Sequence, residues 1–451
     1  MDVAVILLTL IGLMYFAYRG VSVLVLAPIL AMLAALLTND FPSLYALSNV
    51  FMPAAANYIK LYFPVFIAGA IFGKLMGASG AARTLSAFII KNLGPRHAIL
   101  SVVLATALLT YGGVSLFVVV FAMYPIGAET FRAAGIPKRL LPAAITLGAF
   151  TFTMTALPGS PQYLNTMPTI PFGTTVYAAP ILGILAATMM LTLGILWIKF
   201  RAGKAIAAGE GYGEDEDTES KDLASTQSPG VLMSLIPILL VFIINFLMTN
   251  IYFKSPTVVA NYQTLEASIN GTWSVILALG FAIAFMLIVF RRYLIDPNKQ
   301  VFDGSVGSLL PIFNTASEVG YGAVITALSA FLVVKAGIAA IDIPDLFKVA
   351  ITSTSLAGII GSSSGGTGMV LALLGNDFLS TGINPEVLHR VVLLAAGGLD
   401  TLPHCGAVIT LLAVCRLSHR QSYGDIAVVT MAIPLLSAFT VIVVHLATGL
   451  V

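Results

Sequence analysis

Charge is what this chain has least of. Only 9% of its 451 residues are Asp, Glu, Lys or Arg, where a soluble domain averages about 25%. That excludes an ordinary water-facing exterior. The formal net charge of +2 leaves no basic footprint for a nucleic acid. The two cysteines, Cys405 and Cys415, lie in or beside one apolar segment, so a disulfide framework is not expected. No basic n-region and no small-residue cleavage site follow Asp2, so the first apolar run reads as a retained span. No metal-ligand spacing, phosphate loop or nucleotide motif stands out, and no metal or cofactor is expected. What is abundant is apolar sequence, 58% of the chain, in runs long enough to cross a bilayer, for which about 20 residues suffice. The expected fold class is an all-α polytopic membrane protein.

Two of the apolar segments break at a proline in the same way. The first reads Thr155-Ala156-Leu157-Pro158-Gly159-Ser160-Pro161, and the second Asp400-Thr401-Leu402-Pro403-His404-Cys405-Gly406. A glycine-rich stretch precedes each: Tyr111-Gly112-Gly113, and Ser362-Ser363-Ser364-Gly365-Gly366-Thr367. Between stretch and break come Gly135-Ile136-Pro137 and Gly382-Ile383-Asn384-Pro385. A duplicated unit with interrupted membrane segments is the best sequence pointer to a transporter's binding site.

The spacing predicts about ten full crossings and two re-entrant hairpins. The crossings lie near 3–18, 21–38, 58–78, 140–172, 176–199, 229–250, 271–290, 306–336, 386–415 and 426–449. The hairpins lie near 98–128 and 346–380, with a glycine-rich turn in each, and 82–93 reads as a surface helix. Of the 22 basic residues, sixteen then fall in cytoplasmic loops, with the N-terminus outside. Lys60, Lys254, Lys335, Lys348 and Arg390 fall outside, and Lys74 sits within a span, snorkelling toward its inner end. The bias follows the positive-inside rule. Residues 1–200 form a first repeat with hairpin 98–128 and broken span 140–172. Residues 229–451 form a second, with hairpin 346–380 and broken span 386–415. The second starts on the opposite face, so the repeats are inverted and both termini lie outside. The linker 201–228, with Glu214-Asp215-Glu216-Asp217, reads as a polar, flexible, cytoplasmic segment.

A broken membrane helix frees backbone groups that lipid cannot satisfy, so it survives only where protein or water lines it. Half-helix N-termini offer N–H groups and a partial positive charge to a carboxylate. Tyr111, Gly112, Gly113, Gly159, Ser160, Gln162, Ser362, Ser363, Ser364, Gly365, Gly366, Thr367, Thr401 and His404 are therefore the expected substrate-binding set. The bland reading is helix packing through small residues. Asp400, Glu318 and His404 are the candidates for carrying a coupling proton, because intramembrane ionisable groups are costly and usually functional. A structural hydrogen bond or ion pair is the alternative for each. Asn376 and Asp377 read as capping or rim residues of the second hairpin. Gly361-Ser362-Ser363-Ser364-Gly365 also fits G-x-S-x-G and, with His404 and Asp400, would suit a serine hydrolase. Its apolar helical flanks lack the strand, sharp turn and helix of a nucleophile elbow.

At these residues the chain resembles the gluconate permease family, within the ion transporter superfamily. The resemblance covers essentially the whole chain. It is carried by Asn314-Thr315-Ala316-Ser317-Glu318-Val319-Gly320-Tyr321-Gly322-Ala323-Val324 and by Gly375-Asn376-Asp377 with Gly382-Ile383-Asn384-Pro385. The most specific run is Gly397-Gly398-Leu399-Asp400-Thr401-Leu402-Pro403-His404. It implies proton symport of a sugar acid or small carboxylate across the bacterial inner membrane. It also implies a homodimer with a scaffold and a mobile transport domain, hence elevator-type access. The first break lacks the histidine of gluconate carriers, and the chain looks closer to the branch linked to short hydroxy acids such as 3-hydroxybutyrate. Sodium coupling, through oxygens such as those of Asn165-Thr166, and a passive anion channel are the other transport readings.

Overall fold

In a computed structural model of the chain, residues 2–19, 21–94, 97–114, 116–213, 228–264, 272–403 and 405–451 are described. All regular structure among them is helical. Five stretches are long and apolar enough to cross a membrane unaided: Ser43–Ala78, Pro180–Ala207, Val231–Tyr252, Thr272–Val289 and His419–Thr448. The other expected crossings are shorter or interrupted helices. Residues 2–18 and 23–38 each form one helix.

Packing sorts the helices into two sets. Helix Leu309–Ala327 packs on Met52–Ala78 and Val23–Thr38, while Thr272–Val289 packs on Met52–Ala78 and Val231–Leu247. The two helices Ala98–Tyr111 and Leu116–Ala133 pack on each other and on Leu141–Ala149. In parallel, Asp345–Ile360 and Ser363–Ser380 pack on each other and on Pro385–Ala396. Pro180–Ala207 and Ile433–Thr448 pack together beside these. Leu309–Ala327 also lies along Ser363–Ser380, so it joins the two sets at the second glycine-rich stretch.

Both breaks form where the sequence removes helical hydrogen bonding. In the first, Ala156 ends the one-turn helix Phe152–Thr155, and Gly159 turns with φ 81°. Helix resumes only as the single turns Tyr163–Thr166 and Thr169–Phe172. Pro158, Pro161 and Pro168 supply no N–H there. The second break separates Pro385–Ala396 from Gly406–Val414, across Gly397, Gly398 and Pro403.

Four expectations are corrected. The segment 306–336 is not one crossing: Pro297–Gly307, Leu309–Ala327 and Ala330–Ala339 are separate helices, and Leu328 is extended. Asp296 starts the first of them by accepting the Lys299 N–H at 3.1 Å. Lys74 does not simply snorkel, because its Nζ lies 3.6 Å from Asp303 Oδ2 on that helix. The linker does not begin at 201, since helix continues to Ala207 and the Tyr212 carbonyl accepts the Lys138 N–H. The acidic run 214–217 lies outside the described residues. Arg390 is not a loop cation but wholly buried.

Candidate functional site

The second hairpin turns at Gly361, with φ 71°, and at Ser362, which is extended. The Ser362 hydroxyl accepts the Gly365 N–H at 3.2 Å and lies 3.1 Å from Ser364 Oγ. Helix Ser363–Ser380 therefore starts earlier than a glycine-rich turn would suggest. Gly365 and Gly366 sit in its first turns and serve close packing. A Cβ on Gly366 would collide with the backbone of Ala357, and one on Gly365 with the carboxylate of Glu318.

Two carboxylates lie beneath this tip. Glu318, on Leu309–Ala327, is 4% exposed, and its Oε2 has no hydrogen-bond partner. Asp400, within the second break, is 6% exposed, and its Oδ1 is likewise unpartnered. The Ser363 side chain and the N–H groups of Asp400 and Thr401 lie within reach of the Asp400 carboxyl. Tyr163, from the first break, comes within reach of Ser364 and close enough to Glu318 and Asp400 to feel their charge. Its ring stacks on Phe66 at 4.4 Å between centroids. Tyr58, also near Glu318, has a buried and unpartnered hydroxyl, as has Thr367. Burying a carboxylate without a partner is costly, so such a group takes up a proton, a cation or a donor.

The first break is arranged differently. Gln162 donates from Nε2 to the Thr110 and Val114 carbonyls at 2.5 and 3.1 Å, fastening the first hairpin tip to the break. The Tyr111 hydroxyl donates to the Pro158 carbonyl at 2.6 Å, and its ring stacks on Phe242 at 4.7 Å. Gly113 has φ 95° and faces the Pro161 ring, while Gly112 faces Ile238. Gly159 accepts from Asn245 Nδ2 at 3.5 Å and is crowded by the Tyr177 ring. The hydroxyls of Ser160 and Thr110 are buried with no partner. Asn165 Nδ2 donates to the Ser160 and Val176 carbonyls at 3.0 and 2.9 Å.

The structure thus brings Ser362, Ser363, Ser364, Gly365, Glu318 and Asp400 together. It sets Tyr111, Gly112, Gly113, Gly159, Ser160 and Gln162 around the first break. Thr401 is bonded to Thr430 Oγ1 at 2.7 Å, and its carbonyl accepts from Tyr423. His404 lies outside the described residues. Asn376 and Asp377 lie inside helix Ser363–Ser380, away from its turn. Sequence reasoning missed Tyr58, Tyr163 and Arg390. The tyrosines look like ordinary apolar-segment aromatics, and their one signal is a hydroxyl placed near a break or in a span. The G-x-S-x-G run lies between two helices, Asp345–Ile360 and Ser363–Ser380, not after a strand.

The chain as a whole has known relatives. Residues 1–312 match the family model described as GntP family permease. The chain is 43% identical to the uncharacterized transporter YxjC of Bacillus subtilis (strain 168), over 473 aligned positions covering 100% of each. Its fold is similar to that of the YdaH transporter of Alcanivorax borkumensis, at 15% identity, TM-score 0.57 and 88% coverage of both chains. It is also similar to MtrF of Neisseria gonorrhoeae, at 12% identity, TM-score 0.54 and 87% and 83% coverage. Interrupted helices meeting around buried polar groups, apolar helices throughout and a full-length transporter relative lead to one assignment: this chain belongs to the GntP permease family and is a multi-pass membrane transporter.

Proposed function

We propose that the protein is a secondary active transporter that takes up a small organic anion by proton symport. The substrate class is a hydroxy-monocarboxylate or sugar acid, such as 3-hydroxybutyrate or gluconate. The observation that carries this reading is the pair of buried carboxylates, Glu318 and Asp400, each with one oxygen unpartnered, at the N-terminus of Ser363–Ser380. Helix N–H groups and serine hydroxyls there suit the hydroxyl groups of the substrate, and the two acids are places for the proton. Carrying both together neutralises the moving charge and lowers the cost of crossing, which is at least a few kcal/mol per buried charge.

Against sodium coupling, the side-chain oxygen of Asn165 is already engaged, accepting from Arg390 Nη1 at 3.4 Å. The helix-flanked serine motif speaks for transport over hydrolysis. The two similar hairpin-and-break units support inverted repeats and elevator-type movement of the hairpins and broken segments. In this reading the protein works in the bacterial inner membrane as a homodimer, with both termini outside.

The deciding experiment is uptake of labelled short-chain hydroxy acids and sugar acids into proteoliposomes under imposed proton or sodium gradients. Accumulation driven by a pH gradient alone is expected. Accumulation driven by sodium alone would replace the proton with sodium. For topology, a cysteine at Gly211 should label only from the cytoplasm and one at Glu266 only from outside.

A further inference from the structure

Arg390 is the largest fully buried side chain among the described residues. It stands on Pro385–Ala396, a helix started by Pro385 and by Asn384, whose Oδ1 accepts the Glu386 N–H at 2.9 Å. Its guanidinium reaches across to the other half of the chain. Nε and Nη2 donate to the Ala178 carbonyl at 3.2 and 2.7 Å. Nη1 donates to the Thr155 carbonyl at 2.9 Å and to Asn165 Oδ1 at 3.4 Å. Thr155 and Ala178 bracket the first break, so one side chain clamps both of its ends.

No carboxylate touches Arg390 among the described residues. Glu386, whose charge Arg390 feels, is exposed and one turn earlier, and its Oε2 accepts the Ala179 N–H at 3.2 Å. His389 beside it is also fully buried, with Nδ1 2.7 Å from Thr174 Oγ1 and Nε2 3.4 Å from Asn165 Oδ1. Asn165 passes the contact on, donating to the Ser160 carbonyl. Ser160 then holds a buried hydroxyl with no partner. A buried cation is costly unless an opposite charge compensates it, and here the protein offers none in contact.

We infer that Arg390 is the positioning residue that makes the first break selective for an anion, with its uncompensated charge balanced by the substrate's carboxylate. It acts through Asn165 and the clamped backbone, not by touching the substrate. The carboxylate of the substrate then faces the first break and Ser160. The rest of the molecule faces Glu318 and Asp400, whose charge would repel it. This rests on the carboxylate-transport reading above and adds the orientation of the substrate.

The test uses the full chain in proteoliposomes, with labelled 3-hydroxybutyrate and gluconate as probes and 3-hydroxybutyramide as uncharged competitor. In Arg390→Met, which keeps the bulk and loses the charge, the KM for the acid should rise about tenfold, or ~1.4 kcal/mol. Inhibition by the amide should change less than twofold. Arg390→Lys keeps the charge and loses the fork, so it should retain the preference for acid over amide while Vmax falls. An unchanged KM in Arg390→Met, or equal weakening of acid and amide, overturns the inference. Should Arg390→Met fail to reach the membrane, Arg390→Lys decides: a kept preference supports the inference and a lost one refutes it. A wild-type protein that takes up neither acid refutes the carboxylate reading together with this inference. A wild type that does, beside an indifferent Arg390→Met, refutes this inference alone.

Discussion

The first and second breaks use the same breakers, proline and glycine in an apolar run, yet their polar groups are handled in opposite ways. Around the first, Gln162, Tyr111, Asn165 and Arg390 bond to backbone carbonyls, and the ends of the break are fastened from both halves of the chain. Around the second, Glu318 and Asp400 each keep a buried oxygen without a partner. A satisfied network makes a rigid scaffold, whereas a partly satisfied one keeps free energy available for a ligand or proton. The breakers are alike in the two breaks, and the side chains around them differ. The first break supplies shape and positive charge, and the second supplies ionisable groups.

The largest effect should follow from filling the second tip. In Gly366→Leu the new side chain meets the backbone of Ala357, which cannot give way without separating the two hairpin helices. Uptake should be abolished and the melting temperature of the purified protein should fall. Gly113→Leu is expected to be milder. Its φ of 95° costs a residue with a Cβ about 1–2 kcal/mol, but its neighbours are the side chains of Pro161, Leu279 and Phe72. Greater damage from Gly113→Leu would reverse the assignment of the tighter tip.

Next in size come the two carboxylates. Asp400→Asn should abolish uptake driven by a pH gradient while sparing exchange of internal for external substrate. Glu318→Gln should show a weaker form of the same defect, because Asp400 also lies within the break and beside Ser363. Full gradient-driven accumulation in both variants would leave the second break with no ionisable function, and the contrast between the breaks would collapse.

These contrasts were only partly legible in the sequence. Pro158, Pro403 and the glycine runs mark interruptions because they act locally, on their own hydrogen bonds. Glu318 stands out because an acid in an apolar run has few innocent explanations. Arg390 could not be read this way. Five residues past the turn Asn384-Pro385 it looks like a cation at the outer end of a span, and the carbonyls it serves lie 212 and 235 residues earlier. The polar helix Pro297–Gly307 was equally hidden, since it depends on Gly304 meeting the backbone of Ile71. Asp425, on His419–Ala427, passed unnoticed because its partners come from elsewhere in the chain.

A third comparison, smaller in effect, separates side chains that hold the first break from those that face its interior. Gln162→Ala should destabilise the protein by about 1–3 kcal/mol, since the Val114 carbonyl loses this donor while the Thr110 carbonyl keeps the Gly113 N–H. Ser160→Ala should leave the melting temperature unchanged, because its hydroxyl bonds to nothing, and should raise the KM for the acid. Equal thermal losses in both would show that Ser160 belongs to the scaffold. In the same spirit, Ser363→Ala removes the serine motif's nucleophile but should cost transport no more than one hydrogen bond, roughly 0.5–1.5 kcal/mol. Covalent labelling of Ser363 by a serine-directed phosphonate would contradict a transport role.

The smallest effects belong to the charge cluster that joins the first broken segment to helix His419–Ala427. Asp425 is buried and accepts from Arg201 Nε at 2.7 Å, Trp197 Nε1 at 3.1 Å and Arg139 Nη1 at 3.3 Å. Arg139 also donates to both oxygens of Glu210 at 2.6 and 2.9 Å. Asp425→Asn takes the carboxylate from Arg201 and leaves Arg139 with Glu210 alone, and should cost about 1–3 kcal/mol. Glu210 is far more exposed, and exposed pairs contribute about 0–1 kcal/mol, so Glu210→Gln should cost only a few tenths. Glu210 should also differ from its neutral variant in pH dependence. The Arg139 hydrogen bond holds the Glu210 carboxyl below its ordinary value. Its contribution is therefore complete above the unfolded carboxylate pKa of about 4.3 and is lost only as pH falls through the lower folded value. Wild type and Glu210→Gln should accordingly differ by a constant small amount from pH 8 to pH 5, and the two melting curves should merge under more acidic conditions. A difference that already vanishes between pH 7 and pH 6 would mean that a group of higher pKa, not this pair, fastens the end of the first unit to the second.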